Sequence, residues 1–294
     1  MNNNIAIVTG ANNGIGFETT IGMAKAGYQV VMACRNAEKA EAAKTRILES
    51  VPDAKLDILI LDLSLPESVR RFAKNFRSKY PKLDVLINNA GVLDYSGRKN
   101  LQGHELQLAT NHFGHFLLTS MLLELMPDNS QSRVVSLSSI AHKSASIHFN
   151  DIHCEKANEK GAAYGQSKLA CLMFGDELDR RLKKAGKKIL SVSAHPGGSD
   201  SGLFDDMSRI QYHVLKLLGP FITHSNESAA KPSLHAALSQ EVRGGEYYGP
   251  QGFMDLKGPV GIAVRSDYSR NREVAAKLWH VSVEYTNAQF PFDL

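Results

Sequence analysis

Thr9-Gly10-Ala11-Asn12-Asn13-Gly14-Ile15-Gly16 is the stretch on which the reading of this chain turns. It follows an apolar run at 5–8 and leads at once into a helical pattern at 16–26, the order of a strand, a tight turn and a helix. Glycine lets the backbone turn sharply and come close to a ligand, and the free N–H groups and dipole at a helix start favour a phosphate. The spacing is GxxxGxG rather than the GxGxxG of the usual dinucleotide turn. By itself it fits both a pyrophosphate cradle and a Gly-rich connection that binds nothing.

Outward from the turn, short apolar runs at 29–33, 56–61, 85–87, 133–137 and 189–194 alternate with helical stretches at 37–50, 67–79, 101–126 and 162–185. Strand, helix, strand at this spacing predicts parallel βαβ units. Most of the strands are continuous apolar runs, as strands covered on both faces should be. Lys55-Leu56-Asp57-Ile58-Leu59-Ile60 alternates at first, which suits a place nearer a sheet edge. No repeat, low-complexity tract or linker divides the chain. The pattern predicts one α/β domain over 1–294, with a core at 1–195, a less regular region at 196–250 broken by Pro196-Gly197-Gly198, Gly219-Pro220 and Gly249-Pro250, and a C-terminal segment at 251–294.

Composition sets the outer bounds. Of 294 residues, 43% are hydrophobic and 22% charged, which excludes disordered and fibrous classes. The net charge of +4 is spread along the chain, so no nucleic-acid face is expected. Cys34, Cys154 and Cys171 form no CxxC pair, and His142, His148 and His153 lack ligand spacing and read as loop residues, so no metal site is expected. A reduced, cytoplasmic setting follows. The first four residues lead straight into a strand, and the longest apolar run, 116–126, is short and contains Glu124, so a soluble protein without a membrane anchor is expected.

Four motifs in order resemble the short-chain dehydrogenase/reductase family: Thr9 to Gly16 as its TGxxxGIG, Asn88-Asn89-Ala90-Gly91 as its NNAG, Tyr164-x-x-x-Lys168, and Pro196-Gly197 with Ser201 as its PGxxxT/S. Ala33-Cys34-Arg35, Asn111 to Thr119 (NHFGHFLLT) and Ser138-Ser139-Ile140-Ala141-His142 are similar to its retinol-dehydrogenase-like branch, which includes many bacterial carbonyl reductases. Membrane-bound members of that branch carry an N-terminal anchor, which is not read here. The resemblance implies a Rossmann fold: a doubly wound, mainly parallel seven-stranded sheet with helices on both faces.

Tyr164 and Lys168 are i and i+4, which stacks them on one helix face. Alone, such a pair is ordinarily a surface pair; in the family's motif order it is catalytic. An ammonium beside a phenol favours the phenolate, so the tyrosine can exchange a proton with a carbonyl or alcohol oxygen near neutral pH. Ser139 matches the family serine that holds the substrate oxygen, and with no GxSxG elbow around it a hydrolase is disfavoured. Asn111 matches the asparagine that the family links to the lysine through a backbone kink and water; a polar residue turned to solvent is the plainer reading.

For the cofactor, the resemblance implies that Gly10, Asn12, Asn13, Gly14, Ile15 and Gly16 cradle the pyrophosphate. Asn89, Ala90 and Gly91 then line the adenosine ribose, Asp62 and Leu63 the adenine, and Pro196, Gly197, Ser201, Tyr164 and Lys168 the nicotinamide end. The second strand ends in Ala33-Cys34-Arg35-Asn36 without an acid, and the Arg35 guanidinium suits a 2′-phosphate, so NADP(H) is expected.

The expected activity is NADP(H)-dependent reduction of a ketone or aldehyde to an alcohol, or the reverse. Alternatives are reduction of an activated C=C bond and a non-catalytic NADP sensor, though sensors usually lose the tyrosine or the lysine. Leu203-Phe204, Met207, Ile210, Tyr212, Val214-Leu215, Leu217-Leu218 and Phe221-Ile222 recur at near-helical intervals, predicting an apolar lid and a bulky, apolar small-molecule substrate; the same face would also suit packing on the core or on a subunit partner. Between Ser139 and Tyr164 lie 24 residues, an inserted loop by comparison with the family. Relatives pair through their central helices and such an insertion can block the contact, which leaves monomer and homo-oligomer both open.

Overall fold

Strands β1 (Ile5–Thr9), β2 (Gln29–Cys34), β3 (Leu56–Ile60), β4 (Val85–Asn88), β5 (Arg133–Leu137), β6 (Leu190–Ala194), β7 (Tyr247–Pro250) and β8 (Val260–Ile262) form one sheet in the order β3-β2-β1-β4-β5-β6-β7-β8. This is a computed structural model, and it describes residues 4–94, 96–155, 161–198 and 225–292. β1 to β7 are parallel. The alternating run at 55–60 is the outermost strand, as its pattern suggests. The sheet has eight strands where seven were expected. The additional one, β8, is only three residues long, too short to give a periodic signal, and folds back antiparallel on β7 with Tyr248 opposite Ile262.

The helices are α1 (Gly14–Lys25), α2 (Ala37–Ser50), α3 (Pro66–Lys79), α4 (106–122), α5 (Ala162–Lys184), α6 (Asn226–Leu238) and α7 (Arg272–Thr286). Helix α4 starts later than the expected 101. The Glu105 carboxylate accepts from the N–H groups of Gln107 and Leu108 and so caps the helix there, while Asn100 folds the preceding residues into a turn. Within α4, Ala109–Phe113 winds as a π-helical turn.

Successive strand residues feed opposite faces of the sheet, which is why the strands carry no polar alternation. Ile5 and Ile7 of β1, Leu86 of β4 and Val134 of β5 pack under α3, α4, α5 and α7. Ala6, Val8, Val85, Ile87 and Val135 pack under α1, α2 and α6. On the first face Trp279 of α7 lies against Phe116 of α4 and Phe174 of α5, with the Arg181 guanidinium 4.3 Å from its ring centre. Helix α7 thus covers part of the two central helices. Among the described residues no helix is long and apolar enough to cross a membrane.

Trp279, the only tryptophan, is 4% exposed at this junction. Trp279→Ala is expected to cost about 3–5 kcal/mol through the cavity it leaves. Urea unfolding followed by circular dichroism measures the loss.

Candidate active site

The strand order reverses between β1 and β4: from β1 the chain winds outward to β2 and β3, then crosses to β4 and continues the other way. Crevices outside the carboxyl ends of strands at such a point are where open α/β sheets bind ligands. Here a cavity of about 690 Å³ opens there. It is lined by 10, 12–16 after β1, 89–93 after β4, Leu137, Ser138 and Ser139 after β5, Pro196 and Gly197 after β6, Tyr164 and Lys168 from α5, and Asn226 from α6.

The turn after β1 is built for close approach. Gly10 has φ +67°, a conformation that favours glycine. A Cβ on Gly16 would lie 2.3 Å from the Gly10 carbonyl oxygen and 2.5 Å from Asn89 Nδ2, so α1 can start against the turn only with glycine there. The turn is tied to β4 by Asn89, whose Nδ2 donates to the Thr9 carbonyl at 2.7 Å, and by the Thr9 hydroxyl, which accepts from the N–H groups of Asn89 and Ala90 at 2.9 Å each.

On the far wall, Tyr164 stands in the first turn of α5 with the Lys168 Nζ 5.9 Å from its ring centre. Lys168 is buried and donates to the Leu137 carbonyl at 3.2 Å. The two serines that end β5 divide their tasks. The Ser138 hydroxyl is buried and donates to the Lys168 carbonyl at 2.8 Å, whereas Ser139 is half-buried, and its Oγ accepts from Ala141 N–H at 3.3 Å. Ser139 is held from behind by His142, whose Nδ1–H donates to the Ser139 carbonyl at 2.6 Å.

Asn111 lies in the π-helical turn of α4 and is buried rather than turned to solvent. Its Oδ1 accepts from Val92 N–H at 2.8 Å, and its Nδ2 donates to the Val92 carbonyl and, at 2.9 Å, to Ser167 Oγ. Ser167 in turn donates to the Tyr164 carbonyl at 2.8 Å. A Cβ on Gly91 would lie 3.1 Å from Lys168 Nζ and 3.4 Å from Asn111 Oδ1. The glycine therefore leaves the lysine room at the cavity wall.

The remaining expected residues stand apart from this lining. Arg35 is exposed at the end of β2. Asp62 turns its Oδ1 to Ser64, accepting from that residue's N–H and hydroxyl, and Leu63 is buried in the core. Helix α4 packs on this turn so closely that a Cβ on Gly114 would fall 2.2 Å from the Leu63 carbonyl oxygen. Ser201 and the apolar stretch from Leu203 to Ile222 lie outside the described residues. Sequence reasoning missed Val92, Leu93, Leu137 and Asn226 in the lining and passed over Ser138. It also read His142 as a loop residue, although the side chain is buried against Tyr247.

A glycine turn closed to side chains at positions 10 and 16, facing a tyrosine, a lysine and a serine across about 690 Å³, leaves space of the size that small-molecule and cofactor sites have. Among the described residues no group of three His, Cys, Asp or Glu is placed to hold a metal ion.

Comparison with known proteins agrees with this arrangement. Residues 4–210 match the short chain dehydrogenase family. The chain is 39% identical over 282 residues to human retinol dehydrogenase 11, covering 95% of this chain and 85% of that one. It is 36% identical over 293 residues to the chloroplastic short-chain dehydrogenase TIC 32 B of Brassica napus, covering 96% and 88%. Among solved structures, an uncharacterized protein from Mycobacterium paratuberculosis superposes with a TM-score of 0.80 at 35% identity, covering 98% and 95%. Pseudomonas aeruginosa RhlG, in an active-site complex with NADP, superposes with 0.63 at 26% identity, covering 83% and 93%. The chain belongs to the short-chain dehydrogenase/reductase family and resembles its retinol-dehydrogenase-like branch. It is an oxidoreductase of that family.

Two histidines under the site stay neutral. Burial pushes His115 down to about 4, helped by the Lys168 ammonium, and His112 down to about 3, helped by His115. Both titrate near 6.5 when unfolded, so the unfolded chain takes up protons first as the pH falls. Their stabilisation is complete above pH 6.5 and is lost on the way down to 4 and below. His115 alone is expected to remove about 3 kcal/mol between pH 6.5 and 4, read as a falling urea midpoint.

Proposed function

We propose that this protein is an NADP(H)-dependent reductase of ketones or aldehydes, or runs the reverse oxidation. The observation that carries the reading is the convergence of Tyr164, Lys168 and Ser139 on one cavity with the glycine turn at its other end. The residues at 10–16 would hold the pyrophosphate, and Asn89, Ala90 and Gly91 the adjoining ribose. Bound there, the nicotinamide supplies a hydride, chemistry that belongs to the cofactor rather than the protein.

The chain's own residues handle the oxygen. Ser139, with its hydroxyl proton uncommitted while Oγ accepts from Ala141, donates a hydrogen bond to the substrate oxygen. Tyr164 transfers its phenolic proton to that oxygen as charge develops on it, and takes one up in the reverse direction. Lys168, with its ammonium beside the tyrosine ring, stabilises the phenolate left behind and holds the nicotinamide ribose. Asn111 holds Val92 and Ser167, and through Ser167 the backbone of Tyr164.

NADP(H) is favoured over NAD(H) by Arg35, an exposed guanidinium where an acid would discriminate for NAD. Relatives named retinol dehydrogenase support an alcohol–carbonyl pair, and with the apolar run from Leu203 to Ile222 they favour a bulky, uncharged substrate. We place the enzyme in the cytoplasm. Coverage of the central helices by α7 favours a monomer over pairing through them.

Two variants test the assignment. Tyr164→Phe should lower kcat at least about 100-fold on a good carbonyl while NADPH Kd stays nearly unchanged; a near-normal rate would favour C=C reduction. Arg35→Ala should weaken NADPH about 30- to 150-fold with little change for NADH, the loss of a charge-assisted phosphate contact. Oxidation of either cofactor followed at 340 nm gives the rates, the fluorescence of the bound cofactor gives Kd, and equal losses for NADPH and NADH would remove the NADP(H) assignment.

A further inference from the structure

His115 takes no part in the chemistry above, yet it is 3% exposed and bonds to Thr9, next to the glycine turn, and to Asn111, next to Gly91 and Ser167. It stands one turn after Asn111 on α4. Its Nδ1 lies 2.8 Å from the Asn111 carbonyl oxygen, and its Nε2 lies 2.9 Å from the Thr9 hydroxyl.

Donor and acceptor arithmetic fixes the direction of these bonds. A carbonyl can only accept, so Nδ1 carries the ring proton. The groups that face the ring are the Lys168 ammonium, His112 and the Cys171 thiol, whose Sγ donates to the same Asn111 carbonyl at 3.1 Å. Burial and the lysine charge keep the ring neutral, leaving Nε2 as an acceptor. Thr9 therefore donates its hydroxyl proton to Nε2 at 2.9 Å in preference to the Ile87 carbonyl at 3.3 Å. Its oxygen is then left to accept the two N–H groups of Asn89 and Ala90. The π-helical turn at Ala109–Phe113 matters here, because it shifts the helix hydrogen bonds around Asn111 and lets its carbonyl take side-chain donors. The bonds form one directed chain: Asn89 and Ala90 to Thr9, Thr9 to His115, His115 to Asn111. From Asn111 the side chain continues to Ser167 and the Tyr164 backbone.

We infer that His115, as the Nδ1–H tautomer, is a positioning residue that locks the floor of the cofactor cavity to α4, through Thr9 on one side and the Asn111 carbonyl on the other, and so, through the Asn111 side chain and Ser167, to the helix carrying Tyr164 and Lys168. The inference rests on the reading of the cavity as a nicotinamide dinucleotide site. The two bonds serve separate ends. The Thr9 bond holds Asn89 and Ala90 and so sets cofactor affinity. The Asn111 bond sets the geometry of the tyrosine and so sets turnover.

The test is a mutant cycle on the full chain with two readouts: NADPH Kd from the cofactor's own fluorescence without substrate, and kcat on a carbonyl. His115→Phe keeps the ring volume and removes both bonds; Kd should rise about tenfold and kcat fall at least tenfold. Thr9→Val removes the same bond and, with it, the acceptor of the Asn89 and Ala90 N–H groups, so it should raise Kd at least as much, and adding His115→Phe to it should raise Kd no further, since the bond between the two side chains is then already gone. His115→Asn retains a short N–H donor toward the carbonyl one turn back, so kcat should recover while Kd stays raised. Should His115→Phe fail to fold, Thr9→Val with His115→Asn gives the same cycle for Kd. Multiplying Kd effects in the double variant, or a His115→Phe enzyme that loses only thermal stability, would overturn the inference alone. Absence of NADPH binding to the wild type would overturn it together with the cofactor reading, whereas the wrong carbonyl would leave the Kd cycle standing.

Discussion

The constraint on which the rest of the structure depends is the burial of the Lys168 ammonium. The residue is 5% exposed, and among the described residues no carboxylate pairs with it. A charge taken out of water costs several kcal/mol unless polar groups replace its hydration. The Leu137 carbonyl at the end of β5 does part of this at 3.2 Å, and the bare face of Gly91 leaves the ammonium open to the cavity. Ser138 fixes the same helix turn from below by donating to the Lys168 carbonyl. A lysine so held has one direction in which to be solvated, and that direction is the ligand space.

The positive charge then organises what lies around it. It opposes protonation of His115, whose neutral ring is what permits a directed hydrogen-bond chain from the glycine turn to α5. His112, beside His115, is likewise kept neutral by burial. The carboxyl ends of β1, β4, β5 and β6 each deliver backbone to the cavity, and helix α5 delivers the side chains. Preorganisation of this kind places the tyrosine and serine before a substrate arrives, which is where most of the electrostatic benefit in such sites arises.

Much of this was legible in the sequence because it depends on local spacing. The strand–turn–helix at 5–26, the alternating edge strand at 55–60 and the i, i+4 relation of Tyr164 and Lys168 are all short-range patterns with one physical meaning each. The choice of Ser139 over Ser138 rested on the family motif; both serines line the cavity, and that the Ser138 hydroxyl donates to the Lys168 carbonyl is visible only once β5 and α5 are packed. What could not be read depends on long-range contact. β8 is three residues defined by their partner β7. The late start of α4 follows from Glu105 acting as a cap, although its own propensity reads as helix. His115 and His142 are set by burial against Thr9, Ser139 and Tyr247, positions far apart in the chain. Asn226 reaches the cavity from a helix more than 200 residues after the glycine turn.

The central claim is that this cavity passes a hydride from a nicotinamide to a carbonyl carbon while the oxygen receives its proton from Tyr164. Reduction of a bulky ketone with NADPH carrying deuterium at the transferable C4 position, with the product examined by mass spectrometry and proton NMR, tests it directly. The account predicts one deuterium on the carbinol carbon and none elsewhere. Deuterium on a carbon of a former C=C bond, or an alcohol formed without label, would contradict it.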